Sequence, residues 1–168
     1  MVTSNGFSGS NRGTSFFVSA QVSAKDVDGR RPEEFDYAGS RVWSGLADPS
    51  AVGVRAAQRT LSRLGAKKGE TNAMTVLVDN RAGGRLVGML GGALMGGSLQ
   101  QKRSFLEGKL GQQVLSPIVS ITDDPLLPKA FGSRKFDNEG IAAKPRVIFE
   151  DGVLKAYYID TYFGRKMK

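Results

Sequence analysis

The 168-residue chain contains no cysteine and no histidine. The first absence excludes a disulfide framework, a thiolate nucleophile and any cysteine-bearing metal site. The second removes the commonest general base and the commonest zinc ligand, so neither a Ser-His-Asp triad nor a conventional zinc site can be built from these residues alone. Long apolar runs are missing too. The longest uncharged stretch, Leu86 to Leu99, is broken by glycines and falls short of the roughly 20 apolar residues a spanning helix needs. Residues 1–12 are rich in Ser, Asn and Gly and carry no basic segment followed by an apolar one, so they read as a flexible N-terminal segment and not as a signal peptide. The expected compartment is therefore the cytoplasm, with no membrane partner.

What is present is a globular composition, 40% hydrophobic and 24% charged, in a chain long enough to form a core without covalent or metal staples. Lys and Arg outnumber Asp and Glu by 24 to 16, for a net charge of +8. No acid interrupts the bases between Arg55 and Lys68, but elsewhere the two signs are mixed. That distribution makes a basic surface, not a polybasic tail.

Periodicity sets the fold class. Phe16, Val18, Ala20, Val22 and Ala24 alternate as in a strand with one buried face. Asp28-Gly29 is a turn signal, and Glu33 to Gly45 is a second extended segment with Phe35, Tyr37 and Trp43 at matching parity. Asp48-Pro49 opens a helix, with Val54, Ala57, Leu61 and Leu64 as its apolar stripe and Gly65 as its stop. Met74 to Val78 and Pro117 to Thr122 read as short strands, the first buried on both faces, and a long loop follows from Asp123 to Ala143. Arg146–Glu150 and Val153–Tyr158 flank Asp151-Gly152, the strongest hairpin signal in the chain. Thr161 to Lys168 begins a last helix. The class is α+β: long antiparallel hairpins packed with two or three helices, one of them Gly-rich and buried.

Three features carry chemistry or mimic it. Arg55, Arg59 and Arg63 recur every four residues opposite the apolar stripe, either as contacts for an anion or as a solvated face; like charges at this spacing cost only about 0.2–0.5 kcal/mol per pair. Gly84, Gly88, Gly92 and Gly96 make one flat helical face. Each interior glycine costs about 1 kcal/mol against alanine, so four of them favour close packing by another backbone. The spacing matches neither the P-loop nor the dinucleotide fingerprint. The acidic pairs Glu33-Glu34, Asp123-Asp124, Asp137 with Glu139, and Glu150-Asp151 fall in turns, where carboxylates bind nearby backbone N–H groups more readily than they do acid–base work.

The succession of motifs resembles a known family. Gly96-Gly97-Ser98 at the end of the glycine helix is followed by Lys102–Leu106, Leu110–Val114, Ile121–Pro125, Gly132–Gly140, Ile148–Lys155 and Tyr162–Lys166. This order is similar to that of the TldD/TldE (PmbA) family of peptide-degrading proteins, older label modulator of DNA gyrase. The resemblance implies that residues 13–168 form a single α+β domain, a central segment of a longer protein. It also implies which branch. TldD-like members carry His-Glu-x-x-x-His on this helix, and the matching positions here are Gly88, Met89 and Ala93, none able to hold zinc or move a proton. The chain thus resembles the TldE/PmbA side. No catalytic residue, no metal ligand and no cofactor is expected. A TldD-like zinc peptidase subunit and peptide substrates are the implied partners, with Ser133, Arg134, Asp137 and Glu139 as contacts for substrate or partner. A homodimer of the chain stays open. Two readings of other classes remain beside it. One is an anion or nucleic-acid module using Arg55, Arg59 and Arg63, with nucleic acid the weaker of those ligands. The other is an enzyme working with carboxylates alone.

Overall fold

The computed structural model describes residues 1–168, whose five strands and four α-helices group into two compact units where the sequence reads as one domain. The first unit takes Ser10–Ala73 with Leu127–Ser133; the second takes Met1–Gly9, Met74–Leu126 and Arg134–Lys168. No helix is long and apolar enough to cross a membrane.

In the first unit β1 (Phe16–Ser23) and β2 (Glu33–Ser40) form an antiparallel pair running from Phe16 opposite Ser40 to Ser23 opposite Glu33. The alternation expected of β1 is present, with Phe16, Val18, Ala20 and Val22 on the more buried face. The expectation for β2 is overturned. Its inner face is Glu34, Asp36, Ala38 and Ser40, whereas Phe35 and Tyr37 are half exposed on the other side, opposite Gln21 and Ser19. The strand also stops at Ser40, and Trp43–Gly45 forms a short 3-10 turn with Trp43 exposed. The physical reason lies in the helix. α1 (Pro49–Leu61) starts as predicted, with Pro49 in its first turn and the Asp48 carboxylate accepting from the N–H groups of Ser50 and Ala51. It buries Val52, Ala56 and Thr60, not the predicted stripe, of which Val54 and Leu61 are more than half exposed. Both faces of α1 carry apolar residues, so period alone cannot choose between them. Polar complementarity does: the single Thr60 hydroxyl proton is shared between the Val22 and Ala56 carbonyls, each 3.0 Å away, and Arg55 and Arg63 meet carboxylates on β2. The Asp28-Gly29 turn forms, with Gly29 at φ +83°. Just before it the buried Asp26 carboxylate accepts from Val27 N at 2.7 Å and Gly65 N at 2.9 Å, fastening the chain beyond α1 to the hairpin end. On the outer face Phe131 stacks on Phe17 with ring centres 5.2 Å apart, a fit that needs the bare Gly39 beneath it.

The second unit is built on β3 (Ile121–Asp123), β4 (Arg146–Glu150) and β5 (Val153–Leu154), antiparallel in that order. The predicted turn between β4 and β5 is confirmed by positive φ at both Asp151 (48°) and Gly152 (80°). β5 is shorter than expected: Lys155 N still donates to Ile148 O on β4 at 2.8 Å, but beyond it the chain leaves the hairpin and Tyr158 pairs with Met95 instead. Leu94, Leu106, Ile148, Phe149 and Leu154 form the core, each contributing about 1.5–3 kcal/mol by leaving water. Of the Pro117–Thr122 strand only Ile121 and Thr122 pair, since Ser116–Val119 closes a turn with Val119 N bonded to Ser116 O at 3.0 Å. Met74–Val78 is not a strand and is exposed, Leu77 almost fully; no neighbouring strand offers it a ladder.

The glycine segment folds as two helices, α2 (Asn80–Leu94) and α3 (Gly96–Gln100), split at Met95 because Tyr158 inserts between them. Tyr158 N donates to Leu94 O at 2.9 Å, and Gly96 N donates to Tyr158 O at 2.8 Å. The expectation that this helix is buried is corrected: only its C-terminal turn packs in the core, while Leu86, Val87 and Met89 are at least half exposed. A Cβ added at Gly84, Gly88 or Gly92 would meet open space, so within this chain no second backbone approaches that face. At Gly96 and Gly97 the close approach is real, the neighbour being the Phe163 side chain on α4 (Thr161–Lys166). Met1–Gly9 closes a small loop, its terminal ammonium donating to Gly9 O at 2.9 Å.

Candidate functional site

On α2 the positions singled out by sequence lie at the boundary between the exposed and packed parts of the helix. Gly88 and Met89 are exposed; Ala93 is partly buried against the core, and its carbonyl accepts from the Ser104 hydroxyl. Hydrogen, a thioether and a methyl group are what these positions offer a cation, and nowhere do three carboxylates gather as a metal site. The donor set does not fit zinc.

The loop beyond β3 divides its predicted contacts. Ser133 donates to the carbonyl of Leu127 within the first unit. Arg134, in the second, forms an ion pair with Asp123 at 3.2 Å. Asp137 is a turn residue, its Oδ1 accepting from the N–H groups of Glu139 and Ile141, both at 2.9 Å. Glu139 reaches α4, where its Oε2 accepts from Thr161 N at 2.9 Å and the Thr161 hydroxyl at 3.0 Å. Asp160 caps the same helix at Phe163 N, 2.7 Å away. These four residues therefore do not converge on one point.

Two groupings escaped the sequence reading. Around Tyr158, Asp123 pairs with Arg134 at 3.2 Å, while the Arg146 guanidinium lies 5.4 Å from the centre of the ring. Burial first, and then the Asp123 charge, pushes the Tyr158 phenol above its ordinary value. Asp123 reads in the sequence as half of an acidic pair and Arg134 as a contact for substrate or partner, but a tyrosine at the end of a strand pattern carries no signal of its own. The second grouping is an open depression of about 470 Å³ lined by Glu139, Thr161, Tyr162, Arg165 and Lys166. In the sequence, Tyr162–Lys166 reads as the start of a last helix and as the last motif of the resemblance.

The arginine stripe is largely spoken for. Arg55 Nε lies 2.7 Å from Asp36 Oδ2, whose side chain is only 2% exposed, and Arg63 pairs with Glu34. Two of the three guanidiniums thus neutralise carboxylates of β2, which argues against a dedicated anion site and also against a merely solvated face.

One unit is a hairpin crossed by one helix and the other a small antiparallel sheet with the glycine-rich helix, which makes this an α+β protein. Residues 1–64 match the PmbA/TldA metallopeptidase central domain and residues 71–168 the PmbA/TldA metallopeptidase C-terminal domain. The chain belongs to this PmbA/TldD family. It is 36% identical over 142 residues to the metalloprotease PmbA of Escherichia coli O157:H7, covering 84% of this chain and 32% of that protein. The crystal structure of a candidate modulator of DNA gyrase from Bacteroides thetaiotaomicron superposes with a TM-score of 0.93 at 41% identity, over 98% of this chain and 37% of that one. TldE from Thermococcus kodakarensis shares the fold at a TM-score of 0.69 and 22% identity, over 90% of this chain and 34% of that one. The chain spans about a third of the length of the curated relatives it matches.

Proposed function

We propose that the chain is part of a TldE/PmbA-like subunit of a TldD/TldE-type peptidase, one that lacks the zinc motif and serves structure or substrate binding while a histidine-bearing TldD-like partner supplies the chemistry. The observation that carries this reading is the residue set on α2: Gly88, Met89 and Ala93 stand where TldD-like members resemble one another in carrying His-Glu-x-x-x-His, and no imidazole or thiolate exists elsewhere to replace them. The apolar, unpartnered surface of α2 supports a role that is completed by association. The same family membership supports peptides as the substrates, handled in the cytoplasm.

The test is co-purification of the full-length parent with its TldD-like homologue, followed by peptide cleavage by each alone and by the pair. Cleavage by the pair and the histidine-bearing homologue's dependence on zinc are expected, with no turnover by the parent alone. Zinc-dependent turnover by the isolated parent would overturn the reading.

A further inference from the structure

The depression beside α4 is lined by side chains of opposite charge. Glu139 is fastened to the start of the helix, its Oε2 taking both bonds from Thr161 and its Oε1 left for a further donor. Arg165 and Lys166 stand in the last turn and form no ion pair with Glu139 or with any other carboxylate. Tyr162 shares the lining and is 62% exposed, with the Lys166 ammonium 5.7 Å from its ring centre. A negative group at a helix start and positive ones at its end also suit the helix dipole, and by themselves they would mean nothing more. Here they border an open volume of about 470 Å³, within the usual size of small-ligand sites. Two N-terminal N–H groups of α4 are already taken, Thr161 N by Glu139 and Phe163 N by Asp160.

The geometry points to a site for a short zwitterionic peptide, a di- or tripeptide with both ends free. Its ammonium meets Glu139, its carboxylate meets Arg165 and Lys166, and a side chain rests on the Tyr162 ring. The dimensions agree. From Thr161 to Arg165 the helix rises about 6 Å, and an extended dipeptide spans about 7 Å. An isolated carboxylate would be repelled by Glu139 and an isolated amine by the basic pair, so the site selects ligands that carry both charges. This inference rests on the peptide reading above and names the class of peptide that this subunit would hold: the short fragments a peptidase releases.

The 168-residue chain is titrated at low ionic strength with Ala-Phe, N-acetyl-Ala-Phe and Ala-Phe-amide, following the backbone amides of α4 by NMR. Free Ala-Phe is expected to bind at least about tenfold more tightly than either capped form. Glu139→Gln, whose amide oxygen still accepts from Thr161, is expected to remove the preference for the free amine and leave that for the free carboxylate. A double Arg165→Gln, Lys166→Gln variant is expected to do the reverse. Equal affinity for all three ligands, or no movement of the α4 amides with any of them, overturns the inference. The subunit assignment is tested separately, because co-purification with the zinc-bearing homologue does not require this depression.

Discussion

Gly152 sits at a place where a side chain has no room. It is the second residue of the β4–β5 turn, at φ +80°, and a Cβ there would fall 2.2 Å from the Leu115 carbonyl oxygen and 2.8 Å from that of Ser116. The same residue donates to Val119 O at 2.9 Å, while its own carbonyl accepts from Val114 and Leu115. Strain and clash therefore act together, and Gly152→Ala is expected to cost on the order of 3 kcal/mol, read as a lower urea midpoint. Asp36 shows a different kind of constraint: a carboxylate almost out of water meets the half-exposed Arg55 guanidinium at 2.7 Å, whereas the more exposed pair of Arg63 with Glu34 is worth at most about 1 kcal/mol. Tyr158 is sensitive to alkali. Because burial and Asp123 hold its proton, the folded chain keeps a proton that the unfolded chain releases near the ordinary value of 10.0. Its contribution is complete below that pH and is lost as pH rises through the higher folded value. Tyr158→Phe is expected to flatten the alkaline limb of the stability curve and to remove from the phenol absorbance a component that titrates above the ordinary value.

At the level of elements, α1 is the clearest test of what fixes a buried face. Ala56 is fully buried under the hairpin, and Val54 is 55% exposed. Ala56→Leu is expected to cost about 1–3 kcal/mol by overpacking, whereas Val54→Ala is expected to change stability by less than about 0.5 kcal/mol; urea unfolding of both variants checks the assignment. The reverse ranking would restore the stripe drawn from periodicity. That stripe failed for a reason that recurs. β1, the Asp48-Pro49 helix start and the Asp151-Gly152 turn were legible because each rests on a local rule: alternation, capping or positive φ. The face of α1, the inner side of β2 and the fate of Met74–Val78 depend on partners distant in sequence, namely the Thr60 bond to Val22, the Arg55 pair with Asp36 and the lack of a neighbouring strand. The same division holds for the site. That Gly88, Met89 and Ala93 carry no side chain fit for zinc is visible residue by residue. The gathering of Glu139 with Arg165 and Lys166 is not, since it needs the loop and α4 brought together.

Over the whole molecule the chain alternates between segments held by dense hydrogen bonding and one long segment that is not. Between the end of α1 and the start of α2, residues 67–78 have no regular structure, and every one of them is exposed. The segment follows the turn that Asp26 fastens at Gly65 and precedes the helix that Asp79 caps at Arg81 N, so it is pinned at both ends and unsupported between them. It also overlaps the gap between the two family segments, which end at residue 64 and begin at residue 71. A protease needs several residues of extended, accessible backbone, and local opening here costs almost nothing, whereas opening at a strand or helix approaches the global unfolding free energy. Among the many Lys and Arg residues of the chain, Lys67 and Lys68 are therefore expected to be the first cut by dilute trypsin, with mass spectrometry finding fragments that end or begin at these positions before any other. Arg59, only partly exposed in the last turn of α1, is expected to survive that stage. Early cleavage inside α1 or β4 instead would mean that the stability of those elements does not come from the contacts described for them, and that the chain needs the rest of its longer relatives' architecture to hold them.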